Sequence, residues 1–523
     1  MSRYGLPGPW AWTCDETNYV ADANGLSVTE TTAAAGKAAL TGQASTSQWV
    51  HFRAPVGGNP QRTLSFDYRY ETPGALFVLF GGGGDGKNAF FAPPDQTVGA
   101  WQHAECKLAD SGVVRPCSIE FVHDNHGSRA AHSFLIDNVR VTETAGTGER
   151  VILAEDFERG LPREQGGNLA RNFRLNLLAH RISDCNVAAP QVAIADDGTV
   201  TMDWDSFDQE ISVYRERGLT GFNVNWLRIG SGWGDAKTAA DERERRVSAE
   251  LCRQTQAHLE EKGWLDDAYI YTFDEPGVEA MEKIRPAFDF VHQHAPRLRT
   301  LLTFGYGATR PWLPAAADGP EAAYAALEGA VDIWVPHIDC ADFRVLDRQR
   351  GKPRHELWHY VCIAAQKPYP NLWGIDYRGL DHRLLAWQLW RYQLTGTLYW
   401  AVTYWQENVW ENPLSYPGGN GDGSLYYWVD GVHARTGSDG QPDTPVNSIR
   451  LELTRDSIED YDYLALLRQA AATATATEAT AAKRLLDVSD LTPSFSQFTT
   501  DPAALSARRE QIGILLEQLR RRQ

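Results

Sequence analysis

The sequence predicts an α/β protein: a (β/α)₈, TIM-like barrel preceded by an N-terminal, jelly-roll-like β-sandwich. Two patterns predict it. Residues 1–145 read as short strands separated by turn residues, with no long helical stretch. From about residue 171, apolar strand-like runs alternate with amphipathic, helix-like stretches, the texture of repeated βα units. A length of 523 residues accommodates one large barrel plus an accessory module. The expected domains are a β-sandwich (1–145), a linker (146–170), a barrel (171–430) and a helical C-terminal region packed on it (431–523).

In the first domain the runs Gln48–Phe52, Leu64–Tyr70, Ala75–Phe80, Ser118–His123 and Phe134–Val141 read as strands, several with period-two alternation. Gly81 to Gly84 and Pro93-Pro94 interrupt them, and the last strand's Ile136-Asp137-Asn138-Val139 resembles the closing strand of jelly-roll carbohydrate-binding modules. In the barrel the expected strands are Phe173–His180, Thr220–Ile229, Ala268–Phe273, Thr300–Gly305, Val331–Ile338, Leu357–Ile363 and Gly396–Tyr404, with an eighth expected around Leu372–Ile375. Helices are expected at Phe207–Arg217, Ala239–Lys262, Val278–His294, Glu321–Leu327, Phe343–Arg350 and Asp381–Gln393. An open, doubly wound sheet would want a glycine-rich phosphate loop after its first strand, and Leu177 to Cys185 has none. In the tail, Ser457–Leu467 has helical apolar spacing. The run Ala470–Ala482 then leads to a last charged helix.

Charge narrows the partners. The 50 basic and 68 acidic residues leave a net charge of −18, which argues against nucleic acid or an anionic membrane. No apolar run approaches the ~20 residues of a membrane span. Met1 to Trp12 show no apolar leader, which favours a cytoplasmic location. The seven cysteines are scattered without zinc-type spacing and read as buried thiols, Cys106 and Cys117 being the one pair to check for a bridge.

The chemistry concentrates late in the barrel strands. In Tyr269-Ile270-Tyr271-Thr272-Phe273-Asp274-Glu275-Pro276 an apolar strand stops at two adjacent carboxylates, and a proline turns the chain out of it. The same residues also suit an ordinary helix start, but barrel catalytic groups occupy the same place. Ten of the 18 tryptophans lie between Trp312 and Trp428, several at or just past strand ends, with Tyr306, His337, His359, Tyr360, Tyr404 and Asn408 among them. Indole faces beside amide and hydroxyl groups suit the C–H faces and ring hydroxyls of a sugar. By position the candidate substrate-binding residues are Asn225, Tyr306, Trp334, Trp358, His359, Tyr360, Trp400, Tyr404 and Trp405. Trp387 and Trp390 read as helix core.

Other motifs fail on geometry. His355-Glu356-Leu357-Trp358-His359 satisfies the zinc-protease pattern, yet in a strand its histidines stand ~13 Å apart, too far to share a metal. Asn420-Gly421-Asp422-Gly423 reads as a tight turn before a calcium loop. There is no P-loop, no Gly-x-Ser-x-Gly and no nicotinamide fingerprint. No cofactor and no metal are expected.

An ordered series of segments resembles one family. It runs from Tyr271–Pro276 through Trp358–Cys362, Pro368–Leu372, Arg383–Gln388, Thr395–Val402 with Trp405, and Asn420–Gly423. It ends in Ser448–Glu452 and Arg455–Leu464. Together these resemble glycoside hydrolase family 123, the β-N-acetylgalactosaminidases, over about Arg171 to Leu467. His359 departs from the aromatic usual in the family at that place, and Tyr427-Trp428 from a Tyr-Pro-Gly turn. The resemblance implies a retaining exo-glycosidase that removes terminal β-linked N-acetylgalactosamine from an oligosaccharide or glycoconjugate through an oxazoline-type intermediate. It implies Glu275 as general acid/base and Asp274 as the group holding the 2-acetamido N–H. A raised pKa is expected for Glu275, from ionised Asp274 beside it and aromatic walls. Two alternatives stay open: the same fold acting on another sugar, with Asp376 or Glu407 as second carboxylate, or a silent carbohydrate-binding protein.

Overall fold

The computed structural model describes all residues except 1–10, 17–21, 25, 30–32, 37–38, 45–49, 56–60, 73–75, 83–87, 94–96, 112–115, 124–131, 146–147, 156–161, 231–238, 277–280, 305, 308–309, 312–324, 340–346, 405–408, 411–419, 428–444 and 522–523. The fold is mixed α/β and divides into two compact units. One comprises Met1–Glu16, Arg174–Ala401 and Ile449–Gln523, the other Thr17–Phe173 and Val402–Ser448.

A parallel sheet organises the first unit. Its spatial order is Ser183–Asp184, Ala11–Glu16, Gly396–Ala401, Glu356–Tyr360, Ile333–Pro336, Arg299–Phe304, Ala268–Tyr271 and Phe222–Asn223. The sheet curls in a TIM-like way. At its two ends Asn223 N–H donates to Cys185 C=O at 2.9 Å. Two expectations need correcting. The segment Phe173–His180 is helical up to Ala179, where the helix Pro162–Ala179 ends, and the first strand comes later, at Ser183–Asp184. Phe173 and Leu177 are four apart and both buried, a helical spacing that a short apolar run conceals. Leu372–Ile375 is a loop, and the further strand is Ala11–Glu16, from the segment assigned to the sandwich. It pairs in parallel with both Gly396–Ala401 and Ser183–Asp184.

Period-two burial fills the inside of this sheet. Cys185, Tyr269, Leu301, Ile333, Val335, Trp358, Tyr360 and Leu398 form one cluster, with Tyr271 and Cys362 packed against it. Tyr269 meets the Trp358 ring edge-on at 5.8 Å. Gly396 has to be glycine, because a Cβ there would stand 2.6 Å from the Trp358 indole. The C-terminal helices Ile449–Ala471, Ala476–Leu486 and Pro502–Arg520 build a second core with Gly379–Tyr392. Its polar hub is the fully buried Asp460, which takes a two-pronged hydrogen bond from Arg383 and another from Trp387 Nε1, and pairs with Arg509. No described helix is long and apolar enough to cross a membrane.

The second unit holds antiparallel sheets of five and six strands. Thr63–Tyr70 alternates strictly, with Leu64, Phe66, Tyr68 and Tyr70 buried. Phe66 of the six-stranded sheet meets Phe121 of the five-stranded one edge-on at 4.7 Å. Buried Asp137 accepts from the backbone N–H groups of Ala34, Ala35 and Asn138, at an irregularity in the strand His132–Ala145 across which the sheet register shifts. Cys106 keeps its thiol, which donates to Lys107 C=O, so it is not bridged to Cys117. Asn420–Gly423 is a turn.

Candidate active site

The strand Ala268–Tyr271 is extended by a side chain where its ladder ends. Asn223, on the neighbouring strand, accepts from Tyr271 N–H at 2.9 Å and donates to Tyr271 C=O at 3.2 Å. The chain then tucks Phe273 against Phe288 of the helix Met281–His294, ring centroids 5.5 Å apart, which fixes where Asp274 and Glu275 emerge.

At Glu275 the backbone enters the left-handed region, φ +42°, a conformation costing a side-chain-bearing residue about 1–3 kcal/mol. Specific contacts hold it there. Glu275 N–H donates to Thr303 Oγ1 at 3.1 Å, and the Tyr360 hydroxyl donates to Glu275 Oε1. Asp274 Oδ1 accepts from Tyr271 OH at 2.6 Å and from Thr303 Oγ1 at 2.8 Å. One buried threonine thus serves both acidic residues, through the side chain of the first and the backbone of the second. Asp274 is exposed and Glu275 half-buried, so the pair faces solvent at the carboxyl end of the sheet.

Of the residues expected around them, Tyr360 reaches Glu275 directly. Asn225 is exposed, opening a short 3₁₀ turn just past the strand Phe222–Asn223. Trp400 is half-buried and lies two residues beyond inward-facing Leu398, on the same face of its strand. Three others are placed elsewhere. Trp358 belongs to the interior core one layer below Tyr360, its Nε1 donating to Glu356 Oε2 at 2.8 Å. Trp334 alternates with inward-facing Ile333 and Val335, and packs on Phe304 from the opposite face. His359 likewise alternates with Trp358 and Tyr360. It is fully buried against Thr397 and Phe495, and desolvation pushes its pKa down to about 4.

Tyr404 is half-buried and falls in the other unit. Tyr306 is described only through its backbone, in a two-residue strand paired with Arg310–Pro311. Trp405 and Glu407 lie outside the described residues, as do Trp312 and Trp428; Asp376 is exposed on a loop. Strand geometry also removes the zinc-protease pattern, and no metal-holding cluster occurs among the described residues. Sequence reasoning gave no role to Asn223, Tyr271 or Thr303. The available signal was a side chain with a polar atom at or next to the end of each otherwise apolar strand.

A family model described as Glycoside hydrolase 123, catalytic domain, matches residues 184–467. No curated protein matches the chain. Similar solved structures include a family 123 glycoside hydrolase from Clostridium perfringens, studied for glycolipid glycan hydrolysis. Its identity is 14% and its TM-score 0.42, over 97% of this chain and 94% of that one. Xylanase 10C from Cellvibrio japonicus, complexed with xylopentaose, is 9% identical with a TM-score of 0.32, over 83% and 97%. A family 16 carbohydrate-binding module covers 23% of this chain and 86% of its own, at 11% identity and a TM-score of 0.18. With more than half of its length matched by the family model, which takes in Asp274, Glu275, Thr303 and Tyr360, the chain belongs to glycoside hydrolase family 123.

Proposed function

We propose that this glycoside hydrolase is a retaining exo-enzyme that removes terminal β-linked N-acetylgalactosamine by substrate-assisted catalysis, on a (β/α)₈ barrel accompanied by a carbohydrate-binding-type β-sandwich. The observation that carries the reading is the fastening of two consecutive carboxylates to one threonine. A conventional retaining pair flanks the glycosidic bond with a carboxyl on each side, ~5 Å apart. Neighbours held by one Thr303 stand together rather than on either side of a bond, which supports a nucleophile supplied by the substrate.

Glu275, as the acid, gives its proton to the glycosidic oxygen as the C1–O bond breaks. Asp274 accepts the acetamido N–H and turns the carbonyl oxygen toward C1, where it closes the oxazoline-type ring. Water then opens that ring at C1, losing its proton to Glu275, and the sugar leaves with its β configuration retained. Tyr360 orients the Glu275 carboxyl, while Tyr271 and Thr303 keep Asp274 in one rotamer. Asn225 and Trp400 are the further contacts we assign to sugar.

Chromogenic β-GalNAc, β-GlcNAc and β-galactoside substrates test the reading. Turnover of GalNAc with inhibition by a thiazoline mimic is expected; cleavage of the galactoside alone would defeat it, and no turnover at all would favour a binding protein. Glu275→Gln should abolish turnover of substrates with poor leaving groups while sparing binding, and Asp274→Asn should lower turnover strongly.

A further inference from the structure

Beside Tyr360 stands a set of side chains that the hydrolysis above does not use. His337 follows the strand Ile333–Pro336, extending it by one bridge to Tyr360. Its imidazole lies edge-on to the Tyr360 ring, centroids 4.8 Å apart, and is almost wholly buried. Its Nδ1 is 2.5 Å from Asp339 Oδ1, and its Nε2 is 3.6 Å from the Cys362 sulfur. The carboxylate accepts and cannot donate, so Nδ1 carries the proton and the Nε2 lone pair faces the thiol. A sulfhydryl, a histidine fixed in the accepting tautomer and an orienting carboxylate form the arrangement that activates cysteine nucleophiles. The half-buried Cys362 is open to a small reagent.

We propose that Cys362, with His337 as its base and Asp339 as the orienting group, is a nucleophilic modification site at the rim of the sugar pocket, taking soft carbon electrophiles of the α-haloamide class. Its sulfur attacks the reagent's methylene carbon, the S–C bond forms as the C–I bond breaks, iodide departs with the bonding pair, and the thiol proton passes to His337 Nε2. Tyr360 and Cys362 are two residues apart and join the same interior cluster, so an adduct occupies space next to the Glu275 partner. That second consequence, loss of hydrolysis, rests on the active-site reading above.

The other described thiols are internal controls. Cys252 is buried and pushed up to about 12, Cys185 is buried, and Cys106 is half-exposed with desolvation and Asp110 raising its pKa. The whole chain is treated with equimolar iodoacetamide at neutral pH, each cysteine is followed by peptide mass mapping, and hydrolysis is assayed in parallel. Cys362 should alkylate at least tenfold faster than Cys106. His337→Gln and Asp339→Asn should each slow Cys362 at least fivefold and leave Cys106 unchanged. Asp339 is exposed, so its variant keeps the test valid should the His337 variant not fold. Equal rates at Cys362 and Cys106, or wild-type rates in the Asp339 variant, would overturn the proposal. Hydrolysis should fall in step with Cys362 labelling, whereas Cys362→Ser should keep its own untreated rate through the same exposure. Full labelling without loss of hydrolysis would uphold the thiol chemistry and overturn the placing of substrate beside Tyr360.

Discussion

Replacing Thr303 with valine removes one oxygen and little else. The side chain is buried, and valine fills nearly the same volume, so packing is conserved while three polar relationships change. Asp274 Oδ1 loses its 2.8 Å donor, Glu275 N–H loses its 3.1 Å acceptor, and the Tyr271 hydroxyl loses a neighbour at 3.1 Å. A hydrogen bond to a charged group contributes about 1.5–3 kcal/mol. Expressed through the barrier, at ~1.4 kcal/mol per tenfold, that predicts a 10- to 150-fold fall in kcat/KM. Removing the acceptor of Glu275 N–H adds a stability loss of about 1–3 kcal/mol, because one of the contacts that hold its left-handed backbone is gone. Both numbers are measurable on one preparation, kcat/KM with a chromogenic β-GalNAc substrate and stability by urea unfolding. Thr303→Ser, which keeps the oxygen, should recover most of both. A valine variant within threefold of wild-type kcat/KM, at unchanged stability, would refute the claim that this threonine holds the two acids together.

Three further perturbations probe the scaffold. Gly396→Ala forces a Cβ into the Trp358 indole and should destabilise by about 1–3 kcal/mol in urea; a change under about 0.5 kcal/mol would contradict the packing described. Asp460→Ala strands the Arg383 guanidinium and the Trp387 N–H and should cost about 3–5 kcal/mol, read as a lower unfolding midpoint. Acid should act through His359 and His382, both held near 4 by desolvation. The unfolded chain, with histidine near 6.5, binds more protons between those values. Each therefore contributes stability that is whole above about pH 6.5 and lost as pH falls toward 4, on the order of 3 kcal/mol apiece. Asp462, pushed up to about 6 by burial, works in the opposite sense over pH 6 to 4. Thermal midpoints should still drop across this window, less steeply in His359→Gln; a flat profile in the wild type would overturn the assignment.

The sequence made visible what local periodicity encodes. Ala268–Tyr271, Ile333–Pro336 and Gly396–Ala401 lie within the strand-like runs read from it, and Arg299–Phe304 and Glu356–Tyr360 start one residue before theirs, because each is an apolar run bounded by turn residues. The partnership of Ala11–Glu16 with Gly396–Ala401 joins residues 385 positions apart and leaves no local trace, so position alone puts the segment in the sandwich domain. Site residues divide in the same way. Trp334 and His359 were plausible as aromatic groups near strand ends, but strand parity sends them to the face opposite Tyr360, and parity is unreadable until the register is known.

Parity also explains why the acidic pair sits where the backbone is strained. Along a regular strand, consecutive side chains point to opposite faces, so an Asp-Glu dipeptide could offer only one carboxylate to a pocket. Ending the strand at Tyr271 and turning the chain left-handed at Glu275 lets both residues engage partners on the same side, Thr303 and Tyr360 from neighbouring parts of the sheet. A glycine would adopt that φ at lower cost and could carry no proton. The strain is therefore inherent in asking one sequence position for a left-handed turn and an acid together, and the hydroxyls of Thr303 and Tyr360 are what keep the position occupied. Removing either should relax the turn before it disturbs the sheet, so Thr303→Val should lower hydrolysis by a larger factor than its loss of stability alone would suggest.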